Sequence, residues 1–259
     1  MKLPCDAIGE LLLDAVTRFV RSTGCDCIAL SGGIDTSFVA LAAHLAYAKL
    51  RGVTVYYAGG LPRDLYYASF VARRLGIEQE YVMVDYSFIA SRAALVLECT
   101  RRRDYIELRN DVVFLAAIEW SLEKHCKCLL TGDGGDELLA GYSFLRLLDS
   151  RSLREAILRL GVRGRYPSLE LAECIGARVE APLLNDEVVE IVTSAPIECI
   201  RGWLLEGKHP LRAILEKYGL WPVATRTKTP AESGAGTDTL SHRTLEVITG
   251  LQLDDLHGA

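Results

Sequence analysis

Seven consecutive residues, Ser31-Gly32-Gly33-Ile34-Asp35-Thr36-Ser37, have the types and order needed to hold a phosphate chain. They follow the apolar run Cys25 to Leu30 and precede a stretch with helical spacing, Asp35 to Leu50. A strand-to-helix junction presents free backbone N–H groups and the positive end of a helix dipole. The two glycines let the backbone approach a phosphate closely, and Ser31 adds a hydroxyl. Asp35 plays a different part. A carboxylate facing polyphosphate needs a cation between them, and Mg²⁺ is the natural choice. The bland alternative is a strand–helix turn with Asp35 capping the helix.

A second glycine-rich junction is Thr131-Gly132-Asp133-Gly134-Gly135-Asp136-Glu137-Leu138-Leu139-Ala140-Gly141-Tyr142, after the run Lys127 to Thr131. In a parallel sheet both junctions lie at the carboxyl ends of strands, so Asp136 can join Asp35 there. A third candidate is set aside. Gly202 to Lys208 fits G-x-x-x-x-G-K, but His209 stands where a Walker loop has Ser or Thr. No clear strand leads into it, and Trp203, Leu204 and Leu205 are bulky for a phosphate-wrapping loop.

The elements that must position these loops alternate. Helical spacing covers 6–21, 35–50, 65–75 and 108–124, and short apolar runs cover 25–30, 53–57, 81–84 and 127–131. This pattern predicts an α/β fold: a parallel twisted sheet of about five strands with helices on both faces. Beyond Glu137 strand signals disappear, and 151–160, 167–176, 186–194, 209–218 and 240–250 read as helices. The expected organisation is one domain over 1–259, with a nucleotide-binding core to 142. A helical region, 143–259, carries an active-site loop at 225–239.

Bulk properties exclude some classes. The 259 residues are 50% hydrophobic with a net charge of −5, which argues for a packed core and against nucleic acid as a partner. Arg101-Arg102-Arg103 reads as a solvated turn or helix end. Apolar runs such as Val112 to Ile118 are too short to span a bilayer, and Met1 to Asp6 does not read as a signal peptide. A cytoplasmic protein without membrane partners is the expectation. The only amides are Asn110, Asn185, Gln79 and Gln252, a weak thermophile trend that the eight cysteines run against.

Ser-Gly-Gly-x-Asp-Thr resembles the pyrophosphate loop of the ATP pyrophosphatases, and the second junction resembles the S-G-E-G-S-D-E-x-x-G-G-Y signature of asparagine synthetases. Further likeness follows in order at Ala58-Gly59-Gly60-Leu61-Pro62 with Asp64 and Ala68, at Ala181 to Asn185, at Lys208-His209-Pro210-Leu211-Arg212, and at Arg226-Thr227-Lys228. The resemblance implies a carboxylate adenylated by ATP and captured by ammonia or an amine. ATP binding would fall to Ala29, Leu30, Ser31, Gly32, Gly33, Asp35, Thr36, Ser37, Gly59, Thr131, Gly132 and Lys208. Mg²⁺ would fall to Asp35 and Asp136, and catalysis to Lys228, Asp133 and Glu137. Implied partners are ATP, a small carboxylate and an amine donor, with a separate glutaminase subunit and a homodimer left open. Two other readings stand beside it, an enzyme acting on tRNA or another nucleotide and a non-catalytic ATP-binding subunit.

The sequence also departs from that family. Glutamine-dependent relatives carry Cys after the initiator Met, where this chain has Lys2. Asp133 stands where the signature has Glu, Glu180 stands near a family Arg, and Asn185 replaces an Asp, so the acceptor half looks altered. Cys25-x-Cys27 and Cys126-x-Cys128 start two strands; if these are neighbours, as the resemblance implies, the cysteines cluster at the edge away from ATP. Plain buried thiols are the default there, with a disulfide or a four-thiolate metal site as the alternatives. Cys5, Cys99, Cys174 and Cys199 give no spacing signal.

Overall fold

Strands that are apolar on both faces are buried only if helices cover each side, which favours a parallel sheet with crossover helices. The computed structural model describes residues 5–255 apart from Ala48, Leu205 and the side chain of Asp6. The readings made on Met1 to Pro4, on Lys2 and on Leu205 lie outside the described residues.

Five strands form one sheet: β1 (Cys27–Ala29), β2 (Arg51–Tyr57), β3 (Glu78–Val84), β4 (Leu129–Leu130) and β5 (Val179–Glu180). All neighbours are parallel, in the order β3-β2-β1-β4-β5. The first helices are α1 (Cys5–Thr23), α2 (Ile34–Leu45), α3 (Asp64–Leu75), α4 (Tyr86–Thr100) and α5 (Tyr105–Glu123). Then come α6 (Gly135–Leu138), α7 (Ser143–Arg146), α8 (Ser150–Ile157), α9 (Pro167–Ile175) and α10 (Asp186–Ser194). The last are α11 (Ile197–Arg201), α12 (His209–Lys217), α13 (Trp221–Ala224), α14 (Ala231–Ala235) and α15 (His242–Thr249).

Side chains alternate across the sheet. Ile28 and Leu130 enter one core with α1, α2, α3, α8, α10 and α12. Cys27, Val53, Val55, Val84 and Leu129 enter the other with α4, α5, α9 and α15. The helices of 143–255 thus divide between the two cores rather than forming a separate layer.

Several boundaries differ from the sequence reading. The second helix stops at Leu45 rather than Leu50, and Gly52 lies within β2. Its hydrogen atom faces Ile77 at a position where a Cβ would sit 3.0 Å from that side chain. Helix α4 was not anticipated; Asp85 caps it by accepting from the Phe88 N–H at 2.8 Å. Strand β5 falls in the region read as strandless because two residues are too few to show a period. Segment 225–239 is a loop only to Pro230. Beyond it α14 packs on α5, where Glu232 meets the Asn110 amide at 2.7 Å.

Every cysteine is in a disulfide: Cys5–Cys199, Cys25–Cys128, Cys27–Cys126 and Cys99–Cys174. This corrects the default of plain thiols. A four-thiolate metal site is ruled out as well, because its ligands must be free thiolates. Cys27 and Cys126 also belong to the one group of potential metal ligands among the described residues, with Asp26, and both are oxidised. Two bridges therefore staple the amino ends of β1 and β4, strands of three and two residues.

The stapled pair makes a non-additive prediction. With one bridge present, the second closes a ring of only a few residues and contributes about 2 kcal/mol, whereas the first closes about a hundred residues and contributes roughly 4–5 kcal/mol. Replacing Cys25 and Cys128 by Ala, or Cys27 and Cys126 by Ala, is expected to cost about 2 kcal/mol in urea unfolding. Replacing all four is expected to cost about 6–7 kcal/mol. Equal, additive losses would contradict this account.

Candidate active site at the sheet switch point

The strand order reverses direction between β1 and β4, and a ligand cleft is expected outside their carboxyl ends. Both glycine-rich junctions meet there. A cleft of about 620 Å³ is lined by Ala29, Leu30, Ser31, Gly33, Asp35 and Thr36 from the first junction. Thr131, Gly132, Asp133, Asp136, Glu137 and Tyr142 line it from the second, with Lys208 and Lys228 from the C-terminal half. Gly32, Ser37 and Gly59 do not line it. Gly32 packs on α3, where a Cβ would lie 2.3 Å from the Ala68 nitrogen. Ser37 is fully buried in α2, and Gly59 lies against the Tyr57 ring.

The centre of the site is a chain of alternating charges. Lys208 Nζ lies 2.5 Å from Asp35 Oδ2 and 2.8 Å from Asp136 Oδ1, and Lys228 Nζ lies 2.6 Å from Asp136 Oδ2. Two glycines make this closeness sterically possible. A Cβ on Gly135 would lie 2.2 Å from Asp35 Oδ1, and one on Gly141 would lie 2.0 Å from Asp136 Oδ1. Lys208 reaches the carboxylates from a left-handed backbone, φ 55°, which is strained for a non-glycine residue. Its N–H donates to the Leu139 carbonyl at 2.7 Å, which ties it to the second junction.

Burial and charge compete at these groups. Burial pushes the Asp35 carboxyl above its ordinary range, and the neighbouring Lys208 only partly offsets that. At Asp136 burial also acts upward, but the Lys208 and Lys228 ammonium groups outweigh it and hold the carboxyl down to about 2. Asp35 Oδ1 is buried without a hydrogen-bond partner among the described residues. Asp133 accepts from Thr131 Oγ1 at 2.6 Å and from Ser168 Oγ; burial raises its carboxyl. Glu137 accepts from the Tyr142 hydroxyl at 2.5 Å and is also raised by burial.

The Lys228 loop is anchored two residues earlier, at Arg226. Arg226 Nη2 lies 2.6 Å from Asp64 Oδ1 with both side chains nearly buried, and its guanidinium stacks 4.3 Å from the Tyr67 ring centroid. Burial pushes Asp64 up to about 6 despite Arg226. Lys228 itself lies 4.4 Å from the Tyr142 ring centroid. Asp64 and Arg226 were visible in the sequence as matches, but their mutual pairing across 162 residues was not.

The cleft also has walls that no motif announced. Arg102, Glu107, Asn110, Asp111, Phe114, Arg165 and Tyr166 line it from α5 and the segments beside α4 and α9. Arg102 is therefore more than a solvated turn; it lies 3.6 Å from both Glu107 and Glu170. Conversely, two suspected acceptor residues face elsewhere. Glu180 pairs with Arg178 at 2.9 Å, and Asn185 caps α10 through the Glu187 N–H at 3.1 Å. A helix, α11, leads into Gly202, so the 202–208 segment lacks the strand a Walker loop needs.

A glycine-rich loop at a sheet switch point, with paired carboxylates beside it, is the arrangement of an α/β fold of the PP-loop type. A family model described as asparagine synthase matches residues 7–179, more than half of the chain. The chain belongs to the asparagine synthase family. It is 28% identical over 201 residues to a Methanocaldococcus jannaschii protein assigned by name as a glutamine-hydrolyzing asparagine synthetase. That match covers 74% of this chain and 36% of the relative, so the chain spans about a third of the curated relative's length. Among solved structures, NMN synthetase from Francisella tularensis shares the fold at 10% identity and a TM-score of 0.51. It covers 98% of this chain and 89% of that one. An NH3-dependent NAD synthetase from Campylobacter jejuni aligns at 19% identity and a TM-score of 0.38, over 54% of this chain and 61% of that one.

Two predictions follow from the charge arrangement. Removing a partner from a buried ion cluster leaves an uncompensated charge, so Lys208→Met is expected to cost about 3–5 kcal/mol in chemical unfolding. Lys228 is partly exposed and Asp136 would keep Lys208, so Lys228→Met is expected to cost about 1 kcal/mol or less. Separately, burial pushes Asp111 up to about 8 from an ordinary 3.8, reinforced by Glu107 and opposed by Arg102. Below the unfolded value the native and unfolded chains are both protonated there. As pH rises through about 8 the native state must bury a charge, and stability from the protonated form is lost. Asp111→Asn removes this dependence. Its thermal midpoint is expected to equal that of the wild type near pH 4 and to exceed it by about 3 °C or more at pH 8. A pH-independent difference would refute the assignment.

Proposed function

We propose that the chain is an ATP-dependent, AMP- and pyrophosphate-forming carbon–nitrogen ligase of asparagine-synthetase type. The observation that carries this reading is the Asp35–Lys208–Asp136–Lys228 chain beside the Ser31 loop. It concentrates positive charge and hard oxygen donors where a triphosphate would lie. Asparagine synthetases adenylate a carboxylate and then displace AMP with ammonia, and this chemistry needs charge neutralisation more than covalent help from the protein.

The Ser31 and Thr131 junctions supply backbone N–H groups and hydroxyls to the phosphates. The substrate carboxylate attacks the α-phosphorus of ATP, and the bond to the pyrophosphate oxygen breaks. An amine then attacks the acyl carbon of the resulting acyl-adenylate, loses a proton and expels AMP, leaving an amide. Lys208, held rigidly, and Lys228, on a loop anchored by Arg226, would neutralise charge as it develops on the phosphoryl oxygens. Asp133 and Glu137 would face the acceptor side. Their raised carboxyls suit a group that takes the proton from the incoming amine.

The donor set fits Mg²⁺. Asp35 and Asp136 offer hard carboxylate oxygens that converge on one ammonium position, and Asp35 Oδ1 lacks a partner among the described residues. When bound, the ion would supply further charge neutralisation to the phosphates.

ATP–pyrophosphate exchange, screened over amino-acid carboxylates, tests the proposal. Exchange with at least one carboxylate is expected. Absence of both exchange and ATP binding would sink it. Lys228→Ala is expected to lower the exchange rate by about a hundredfold or more while the affinity for ATP changes little, because the charge it neutralises develops mainly in the transition state.

A further inference from the structure

Gln79 is one of only two glutamines in the chain, and on the edge strand β3 it has a side-chain partner at each end of its amide. Its Nε2 donates to Thr54 Oγ1 on β2 at 2.7 Å, and its Oε1 accepts from the Tyr81 hydroxyl at 2.9 Å. Tyr81 Oη in turn lies 2.7 Å from Ser69 Oγ on α3. At the other end, Thr54 Oγ1 donates to the Leu30 carbonyl at 2.6 Å. Ser69, Tyr81, Gln79 and Thr54 thus connect the sheet edge, where Tyr81 is half exposed, to the residue that precedes the Ser31 loop.

What each group can donate fixes the direction of these bonds. A carbonyl only accepts, so the single Thr54 proton goes to Leu30. The Gln79 amino group only donates, so it meets a lone pair of Thr54 and does not compete for that proton. Tyr81 keeps the amide in this orientation by donating to its oxygen. Backbone pairing runs out at the same point. The register of β1 with β2 ends at Ala29 and Val53, and the Leu30 N–H adds one rung to the Val53 carbonyl at 2.8 Å. What holds the Leu30 carbonyl is the buried Thr54 side chain. That carbonyl shares one rigid peptide plane with the Ser31 N–H, the first donor of the glycine-rich loop. Fixing the carbonyl therefore fixes where the N–H points. The next carbonyl, that of Ser31, accepts from Arg226 Nη1 at 3.4 Å.

Resting on the ligase reading above, we infer that Thr54 is a positioning residue for the loop that receives the phosphates of ATP, and that Gln79 keeps its hydroxyl proton aimed at Leu30. Thr54, Leu30 and Ser31 all line the cleft, so a turned Leu30–Ser31 peptide misplaces the ligand wall itself. Thr54→Val keeps the branched shape, removes the hydroxyl and leaves the Leu30 carbonyl free to turn. Gln79→Glu reaches the same end by another route. A carboxylate only accepts, so the Thr54 proton turns toward it and away from Leu30. Gln79→Met removes the support but leaves the Thr54 proton on Leu30.

The test titrates ATP with Mg²⁺ into the oxidised full chain by calorimetry at about pH 8, where a carboxylate is ionised, with urea unfolding of each variant alongside. Thr54→Val and Gln79→Glu should each weaken ATP binding about tenfold, the loss of one buried hydrogen bond expressed as affinity. Thr54→Ser restores the hydroxyl and should bind ATP within about twofold of the wild type, and Gln79→Met within about threefold. In the Thr54→Val background, Gln79→Glu should add nothing, because no proton remains to be turned. A purely structural role would lower the urea midpoint and leave ATP affinity unchanged. That result, additive losses in the double variant, or Thr54→Ser binding no better than Thr54→Val overturns the inference. Exchange decides the ligase reading separately. A wild type that binds ATP but exchanges with no carboxylate counts against that reading, while the titrations still decide the role of Thr54. No binding of ATP by the wild type overturns both.

Discussion

Two buried carboxylates held side by side must be neutralised, and the cleft end of this protein is organised by that requirement. Asp35 and Asp136 come from different strand–helix junctions and meet on one ammonium, that of Lys208. A buried charge is tolerable only with a well-placed counter-ion. That explains several local features together. Gly135 and Gly141 remove Cβ atoms that would collide with the carboxylates, and Lys208 accepts a left-handed backbone to reach them. Lys228, on the other carboxylate oxygen of Asp136, is less buried and sits on a loop. The pair thus divides into a buried cation and a more exposed one.

The frame that aligns the two junctions is small. β1 and β4 share a ladder of two paired positions, too little to set the distance between Asp35 and Asp136 by hydrogen bonding alone. The Cys25–Cys128 and Cys27–Cys126 bridges hold the amino ends of the same strands, and helices from both halves of the chain pack over each face. On the far side of the cleft, the buried Arg226–Asp64 pair holds the Lys228 loop against α3. Charge at the site is thereby positioned by covalent, ionic and packing constraints that lie outside the cleft.

Much of this was legible from local pattern. The two glycine-rich junctions, the alternation of strand and helix and the position of the cysteine pairs away from the phosphate loop are short-range features. Each depends on residues within a few positions of one another. The five late helices 151–160, 167–176, 186–194, 209–218 and 240–250 were readable for the same reason. What escaped was either too short to show a period, as with β5, or lacked a strong pattern, as with α4, whose residues are apolar on several sides. The fate of the cysteines was undetermined because spacing along the chain says nothing about which sulfur atoms meet across 75 to 194 residues.

The sequence by itself determined the groups available: a glycine-rich loop at a strand–helix junction, two carboxylates at strand ends and a late lysine. Those assignments rest on side-chain type and local backbone need, which do not change with context. Only the tertiary structure decided which charges neutralise one another and which are left over. It put Lys208 between Asp35 and Asp136, joined Arg226 to Asp64, turned Glu180 and Asn185 away from the cleft, and buried Asp111 in the cleft wall. Burial and long-range pairing set those outcomes, because the energy of a charge depends on how much water and which counter-ions surround it.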